Sequence, residues 1–132
     1  MPPVLVVDDD PDLCASIKTA LQVEGHEVVT AANGREALNY LNRADFRPSV
    51  IVLDLMMPMM NGWQVLDIIA RDRDLQKVPI ILTSAYFGDR FVGDPYTMLP
   101  KPFALERLLE LVAHHCRERL EESTEPEEIT EP

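Results

Sequence analysis

The sequence predicts an α/β domain with a parallel central sheet. Short, almost continuous apolar runs alternate along the chain with longer segments whose apolar residues recur at helical spacing. Because the runs are apolar at nearly every position, their strands are expected to be buried on both faces. This order of strands and helices favours parallel strands joined by right-handed crossovers. At 132 residues and 14.9 kDa, the chain has the size of one ordinary domain.

The first elements carry clear local signals. Val4 to Asp8 forms the first apolar run and predicts a buried strand. Pro11 suits a first helical turn, apolar residues then recur at helical spacing, and Gly25 ends the segment. Val28 to Ala31 predicts a second strand, and Asn33 is placed to cap the helix that follows it.

The remaining elements continue the alternation. Pro48 precedes a third strand at Val50 to Asp54, and a turn over Met56 to Met60 leads to a helix at Gly62 to Arg71. The last predicted elements are a fourth strand at Ile80 to Thr83, a weaker fifth at Thr97 to Leu99 and a long amphipathic helix at Ala104 to Leu120.

Charge and composition restrict the function. The formal net charge is -11, and Glu121 to Pro132 holds six of the 23 acidic residues and no Lys or Arg. We expect a domain over residues 1–120 and a disordered acidic tail over residues 121–132. Without a basic stripe, the chain is not expected to bind nucleic acid by itself. Cys14 and Cys116 lie among apolar helical residues and are expected to be small core residues.

The sequence gives no membrane signal. No apolar stretch reaches transmembrane length, and the start Met1-Pro2-Pro3 lacks the basic region of a signal peptide. We therefore expect a cytoplasmic protein that makes no membrane contact.

Polar side chains follow four of the predicted strands at their carboxyl ends. Asp8 and Asp9 follow the first strand, Asp54 ends the third, Thr83 ends the fourth and Lys101 comes after the fifth. Carboxyl ends of parallel strands meet at one edge, so these side chains are expected to lie together. Carboxylates that are held close repel one another unless a hard cation lies among them. The pattern predicts Mg²⁺ and phosphate chemistry.

These residue types suit phosphoryl transfer. Asp9 and Asp54 can ligate Mg²⁺ directly, Asp8 can act through a metal-bound water, and a backbone carbonyl near Met56 can complete the oxygen set. An aspartate beside the ion can attack a phosphoryl group as a nucleophile. The metal and Lys101 would neutralise the charge that spreads over the phosphoryl oxygens.

Four motifs, in this order, resemble the receiver domain of two-component response regulators. They are Val6-Val7-Asp8-Asp9-Asp10, the segment Asp54 to Gly62, Leu82-Thr83-Ser84 and Lys101-Pro102-Phe103. The resemblance spans about residues 3 to 120. It implies a flavodoxin-like, doubly wound sheet of five parallel strands flanked by five helices.

The resemblance also implies a role for each site residue. Asp54 would accept a phosphoryl group from a sensor histidine kinase or a histidine phosphotransfer protein, and Asp8 and Asp9 would form the acidic metal pair. Thr83 matches the family's switch hydroxyl, and Lys101 matches its phosphate-contacting lysine. The domain would then be a switch and not an enzyme that acts on other substrates. It would catalyse only its own phosphorylation and dephosphorylation and would change its contacts with a downstream protein.

Two features depart from the family pattern. The stretch Ser84 to Pro100 shows no helical stripe, which predicts a short or distorted fourth helix. Met98 stands three residues before Lys101, where receivers commonly carry Tyr or Phe, and Tyr96 lies two residues earlier. Either residue could take the role of the switch aromatic. Lys101-Pro102 is a candidate for a cis peptide bond.

Two other functions are open on the sequence alone. A degenerate receiver used as a phosphorylation-independent scaffold is favoured by the altered stretch and opposed by the intact Asp, Thr and Lys. A haloacid-dehalogenase-type aspartyl phosphatase would need a second aspartate two positions after the nucleophile. That position holds Met56 after Asp54 and Asp10 after Asp8.

The mode of signal transfer follows from what the chain contains. No output domain follows Leu120, so we expect a stand-alone receiver, a phosphate-relay intermediate or part of a longer protein. A homodimer is also open, because receivers often dimerise through the face that is altered here.

Overall fold

One parallel sheet organises the chain. The computed structural model describes residues 2–58, 60–85 and 96–129, and their side chains up to residue 118. The strands are β1 (Val4–Val7), β2 (Val28–Ala31), β3 (Val50–Asp54), β4 (Ile80–Ser84) and β5 (Thr97–Pro100). They lie in the order β2-β1-β3-β4-β5, and each neighbouring pair is parallel. The predicted five-stranded parallel sheet is confirmed.

Four α-helices appear in the described residues. They are α1 (Pro11–Val23), α2 (Gly34–Leu41), α3 (Gly62–Ala70) and α4 (Leu105–Ile129), with a short 3-10 helix at Leu75–Lys77 before β4. The short or distorted helix expected between β4 and β5 falls on residues 86–95, which lie outside the described residues. The C-terminal helix α4 corresponds to the fifth of the five expected helices.

The C-terminal helix is longer than predicted. It begins at Leu105 instead of Ala104 and continues past Leu120 into the acidic segment. The domain boundary at residue 120 and the disorder of residues 121–132 stay predictions. Within the described part of the chain, no helix has the length and apolar character needed to cross a bilayer.

Side-chain caps fix the starts of the first two helices. Asp10 caps α1, because its Oδ1 accepts from the backbone N–H groups of Asp12 (3.0 Å) and Leu13 (3.2 Å). Asn33 caps α2 as predicted, with its Oδ1 accepting from Glu36 N–H at 2.9 Å. Each cap satisfies N–H groups that have no partner within the helix.

A capping box starts α3. Asn61 Oδ1 accepts from the Gln64 N–H at 3.0 Å, and Gln64 Oε1 accepts from the Asn61 N–H at 2.9 Å. The cap lies at the end of the loop that follows β3. It therefore fixes where that loop enters the helix.

The sheet is buried on both faces by alternating residues. The layer that contains α2 and α3 covers Leu5, Val7, Ile51, Leu53, Ile80 and Leu82. The layer that contains α1 and α4 covers Val4, Val6, Val50, Val52, Ile81 and Leu99. Each of these side chains stabilises the fold by about 1.5–3 kcal/mol relative to leaving it exposed. Since β1 lies between β2 and β3, the chain reverses direction across the sheet there, and the crevice at the carboxyl ends of β1 and β3 is the switch point.

Candidate functional site

Three aspartates converge at the switch point. Asp8 and Asp9 follow β1 directly, and Asp54 is the last residue of β3. Each offers a carboxylate oxygen, and these oxygens lie within 4.8 Å of one another. Asp8 is 4% exposed and Asp54 is 3% exposed, while Asp9 is exposed at the mouth of the site. The predicted acidic cluster is therefore present, with two of its members buried.

Lys101 bridges the two buried carboxylates. Its Nζ donates to Asp8 Oδ2 at 2.8 Å and to Asp54 Oδ2 at 3.2 Å. The lysine follows β5, and its backbone N–H donates to the Ser84 carbonyl at 2.8 Å. The Lys101-Pro102 peptide bond is cis, as expected. Residues from four different strand ends thus meet in one site.

Backbone N–H groups orient both buried carboxylates. Asp8 Oδ1 accepts from the Asp10 N–H at 2.9 Å, and Asp54 Oδ1 accepts from the Met56 N–H at 3.1 Å. The Oδ2 atom of each carboxylate is the one that contacts Lys101. Because both oxygens of each group are engaged, the side chains are held before any cation or substrate arrives.

The surroundings of Asp54 disfavour its charge. Burial raises the pKa of Asp54 above its ordinary value of 3.8, the Met56 N–H opposes this, and the negative charge of Asp8 adds to it. Lys101 also lowers the pKa, but the net direction is upward.

The lysine stays protonated. Burial lowers the pKa of Lys101, but its hydrogen bond to Asp8 and the charges of Asp54 and Asp8 outweigh that effect, so the pKa is raised. The site then holds one ammonium, which contacts two of its three carboxylates. The site has an excess of negative charge that a divalent cation would neutralise.

Thr83 lies beside Asp54 in the sheet. The two residues are partners in the β3–β4 register, and Thr83 is 2% exposed. The Thr83 carbonyl accepts from the Leu55 N–H at 2.9 Å, which extends the pairing by one residue beyond Asp54. Ser84 follows and is fully buried. The structure therefore places Thr83 next to Asp54 in the sheet, and its role as the switch hydroxyl stays a prediction.

Gly62 lies very close to the backbone at the end of β3, and the sequence patterns did not predict this contact. Its N–H donates to the Leu55 carbonyl at 3.1 Å. A Cβ at this position would lie 2.6 Å from the Asp54 carbonyl oxygen and 2.7 Å from Leu55 Cα. Both are backbone atoms that cannot rotate away, so a side chain here would displace the residue that carries the carboxylate. In the sequence, Gly62 was visible only as a helix start and as part of a motif.

A buried thiol lies behind Asp8. Cys14 is 8% exposed, and its Sγ lies 3.3 Å from the Asp8 carbonyl oxygen. Burial raises the pKa of the Cys14 thiol to about 11, and the charges of Asp8 and Asp10 act in the same direction. The thiol therefore remains protonated and donates to Asp8, and it is unsuited to act as a nucleophile.

The two candidates for the switch aromatic both lie at the edge of the sheet. Tyr96 precedes β5, is partly buried and packs against the core layer under α2 and α3. Met98 pairs with Leu82 in the β4–β5 register and is also partly buried. Which of the two takes the role stays a prediction.

Fold and site together define a class of protein. The chain is a doubly wound α/β domain whose switch point holds a carboxylate cluster suited to a hard divalent cation. A family model described as the response regulator receiver domain matches residues 4–113. The chain belongs to this family, and it is a receiver domain of the two-component response regulators. Its aspartate cluster fits the phosphorylation site of such domains.

Similar proteins agree with this assignment. The transcriptional regulatory protein PrrA of Mycobacterium leprae is 42% identical over 126 residues, which cover 89% of this chain and 51% of PrrA. This chain thus spans about half the length of PrrA. Protein PilG of Pseudomonas aeruginosa is 34% identical over 119 residues, which cover 85% of each protein. The response regulator TrrA of Thermotoga maritima, solved in complex with Mg(2+)-BeF, superposes with a TM-score of 0.73 at 32% identity, over 87% of this chain and 99% of that one.

The two alternative functions are not favoured. A degenerate scaffold is opposed by the clustering of Asp8, Asp9 and Asp54 and by the contacts of Lys101 with two of these carboxylates. In the phosphatase hypothesis, Asp10 would be the second catalytic carboxylate after Asp8. Instead, Asp10 caps α1 with its Oδ1.

Proposed function

We propose that Asp54 is the phosphoacceptor of this receiver domain and that phosphorylation requires Mg²⁺. One observation carries the proposal. Carboxylate oxygens of Asp8, Asp9 and Asp54 lie within 4.8 Å of one another, and Lys101 Nζ lies 2.8 Å from Asp8 and 3.2 Å from Asp54. Carboxylates plus one fixed cation form the set that transfer of a phosphoryl group to an aspartate needs.

The transfer step is a substitution at phosphorus. An Asp54 carboxylate oxygen forms a bond to the phosphorus of a phosphohistidine. The P–N bond breaks, and the imidazole nitrogen keeps the electron pair and takes up a proton. With acetyl phosphate as the donor, a P–O bond breaks and acetate leaves. Hydrolysis of the product by water restores the carboxylate and releases inorganic phosphate, so the modification is reversible.

The donor set fits Mg²⁺. Asp8, Asp9 and Asp54 offer only carboxylate oxygens, which are hard ligands, and the backbone carbonyl of Met56 is our candidate for a further oxygen ligand. When bound, the ion would neutralise charge on the oxygens of the transferring group. Lys101, which follows β5, would supply positive charge in addition to that of the ion. The Mg(2+)-BeF complex of the related TrrA supports this assignment.

The proposal also assigns roles to Thr83, to the phosphodonor and to a downstream protein. Thr83 would hydrogen-bond the phosphoryl group through its hydroxyl, because it is the sheet partner of Asp54. The phosphodonor would be a sensor histidine kinase or a histidine phosphotransfer protein, and the modified domain would bind a downstream protein. Membership of the receiver family and similarity to the transcriptional regulatory protein PrrA support a signalling role of this kind.

Acetyl phosphate tests the proposal without the natural donor. Incubation of the protein with acetyl phosphate and Mg²⁺ should add one phosphoryl group, seen by intact-mass spectrometry, and the adduct should not form when Mg²⁺ is chelated. Asp54→Asn should abolish the adduct. Asp67→Asn, which alters an exposed carboxylate on α3, is the matched control and should be modified like the wild type. An adduct that persists in Asp54→Asn would show that another residue is the acceptor.

A further inference from the structure

The start of α2 touches the loop that follows the acceptor aspartate. A Cβ on Gly34 would lie 2.7 Å from the Met60 carbonyl oxygen, 2.8 Å from Val65 Cγ2 and 2.9 Å from Met60 Cγ. The nearest of these atoms belongs to the backbone and cannot rotate away. Gly34 is therefore needed for close contact between two segments.

The contacted loop is short and closed. It leaves β3 at Asp54 and returns at Gly62, whose N–H donates to the Leu55 carbonyl at 3.1 Å. Within it, the Met56 N–H holds Asp54 Oδ1 at 3.1 Å. The described part of the loop is therefore tied to the aspartate cluster at Met56 and to the start of α2 at Met60.

The segment before α2 is fixed on its other side to the metal pair. The Asp8 N–H donates to the Ala31 carbonyl at 3.1 Å, at the end of β2. Glu36 Oε1 accepts from the Ala32 N–H at 2.8 Å, and Asn33 Oδ1 accepts from the Glu36 N–H at 2.9 Å. The connection from β2 to α2 is thus held by hydrogen bonds, and it lies between Asp8 at the end of β1 and the loop that follows Asp54.

We propose that Gly34 is a positioning residue for the metal site. By contacting the Met60 carbonyl, it holds the loop in the shape that brings the Met56 backbone toward the aspartate cluster. The inference rests on the proposed function, since its effect is read in Mg²⁺ binding. Gly34 touches neither the ion nor the phosphoryl group and acts only through the loop.

Gly34→Ala tests this inference together with two partner variants. Half-saturation by Mg²⁺, followed through Trp63 fluorescence, should shift to about tenfold higher concentration, as expected when a group that orients metal ligands is lost. The maximal rate of modification by acetyl phosphate at saturating Mg²⁺ should stay near the wild-type rate. Val65→Ala loosens the same helix contact without pressing on the loop, and its Mg²⁺ affinity should not change. In Gly34→Ala/Val65→Ala the affinity should remain weak, because the clash with the Met60 carbonyl persists.

A milder variant covers the case in which Gly34→Ala does not fold. Asn33→Ala removes only the cap that fixes Gly34, and it should also weaken Mg²⁺ binding. Restored affinity in the double variant, equal loss in Val65→Ala, or unchanged affinity in Asn33→Ala or Gly34→Ala would each overturn the inference. A wild type that neither binds Mg²⁺ nor accepts a phosphoryl group would instead overturn the proposed function.

Discussion

Among the residues that the structure describes, the Lys101 side chain links both buried carboxylates of the site. Its ammonium contacts Asp8 and Asp54, which are almost fully buried, while the lysine side chain is 21% exposed. Two carboxylates held this close would repel each other strongly without a cation between them. In the free protein, Lys101 therefore supplies part of the charge compensation that a divalent cation would complete.

Replacement of the lysine should destabilise the domain and make it depend on Mg²⁺. Removing one partner of a buried ion pair costs roughly 3–5 kcal/mol, which is an upper bound here because Lys101 is partly exposed. Lys101→Met should lower the free energy of unfolding in urea, and Mg²⁺ should recover more stability in this variant than in the wild type.

The matched control is Arg71→Met, which breaks the exposed Arg71–Asp67 pair at 3.0 Å. It should change stability by no more than about 1 kcal/mol. Equal losses in the two variants would mean that Lys101 does not compensate the buried charges.

The raised pKa of Asp54 gives a pH dependence of known sign. A carboxyl group whose pKa is higher in the folded than in the unfolded chain binds more protons when folded. The free energy of unfolding therefore falls as the pH rises from the pKa of the unfolded chain to that of the folded chain. For Asp54 this pH range begins near the ordinary value of 3.8 and extends upward to the raised pKa. Asp54→Asn removes this destabilisation, so the variant should be more stable than the wild type near neutral pH. Its advantage should shrink as the pH falls toward 3.8.

Urea unfolding of both proteins between about pH 4 and pH 7 measures the difference. Asp67→Asn, an exposed carboxyl on α3, should show no such trend. A wild type that is more stable than Asp54→Asn at neutral pH would contradict the proposed cost of charging Asp54.

At the scale of elements, the loop from β3 to α3 depends on Gly62. A Cβ there would clash with the backbone of Asp54 and Leu55, and overpacking of this kind costs about 1–3 kcal/mol. Gly62→Ala should lose about that much stability and should also react more slowly with acetyl phosphate, because the shift reaches Asp54. Asp67→Ala, on the exposed face of α3, should stay within about 0.5 kcal/mol of the wild type. A fully active and stable Gly62→Ala would show that the loop tolerates the added methyl group.

Element boundaries were predictable where local chemistry marks them. Pro11 and the predicted cap Asn33 lie at helix starts, and apolar runs gave the strands to within a residue. The end of α4 was not predictable, because the helix continues to Ile129 through Pro126, a residue type that normally ends a helix. The close approaches at Gly34 and Gly62 are contacts between distant backbone segments, which no local pattern contains.

At the scale of the whole molecule, Mg²⁺ should stabilise the fold by mass action. A ligand present at 100 times its dissociation constant adds about 2.7 kcal/mol to the free energy of unfolding. Thermal unfolding should therefore shift to higher temperature as Mg²⁺ is added. In Asp9→Ala the same shift should require higher Mg²⁺ concentrations. Asp12→Ala removes the same charge from the exposed first turn of α1 and should follow the wild-type curve. Coincident curves for Asp9→Ala and the wild type would exclude Asp9 as a ligand.

The placement of the site followed from the topology of the sheet. Once the strands are parallel, Asp8, Asp9, Asp54, Thr83 and Lys101 must share one edge, and the sequence was enough to predict this. The sequence could not show that Lys101 contacts Asp8 as closely as Asp54, or that Cys14 supports the Asp8 carbonyl. Both contacts depend on side-chain directions, which are set only when the layers pack.

The position of the phosphoryl group on the chain tests directly whether Asp54 is the acceptor. Borohydride reduces an aspartyl phosphate to homoserine, so protein treated with acetyl phosphate and Mg²⁺ can be reduced, digested and mapped by peptide mass spectrometry. We predict homoserine at position 54 alone, formed only when Mg²⁺ is present. Homoserine at position 8 or 9, or an unmodified peptide around Asp54 in protein that carries the phosphoryl adduct, would contradict the assignment of Asp54 as the acceptor.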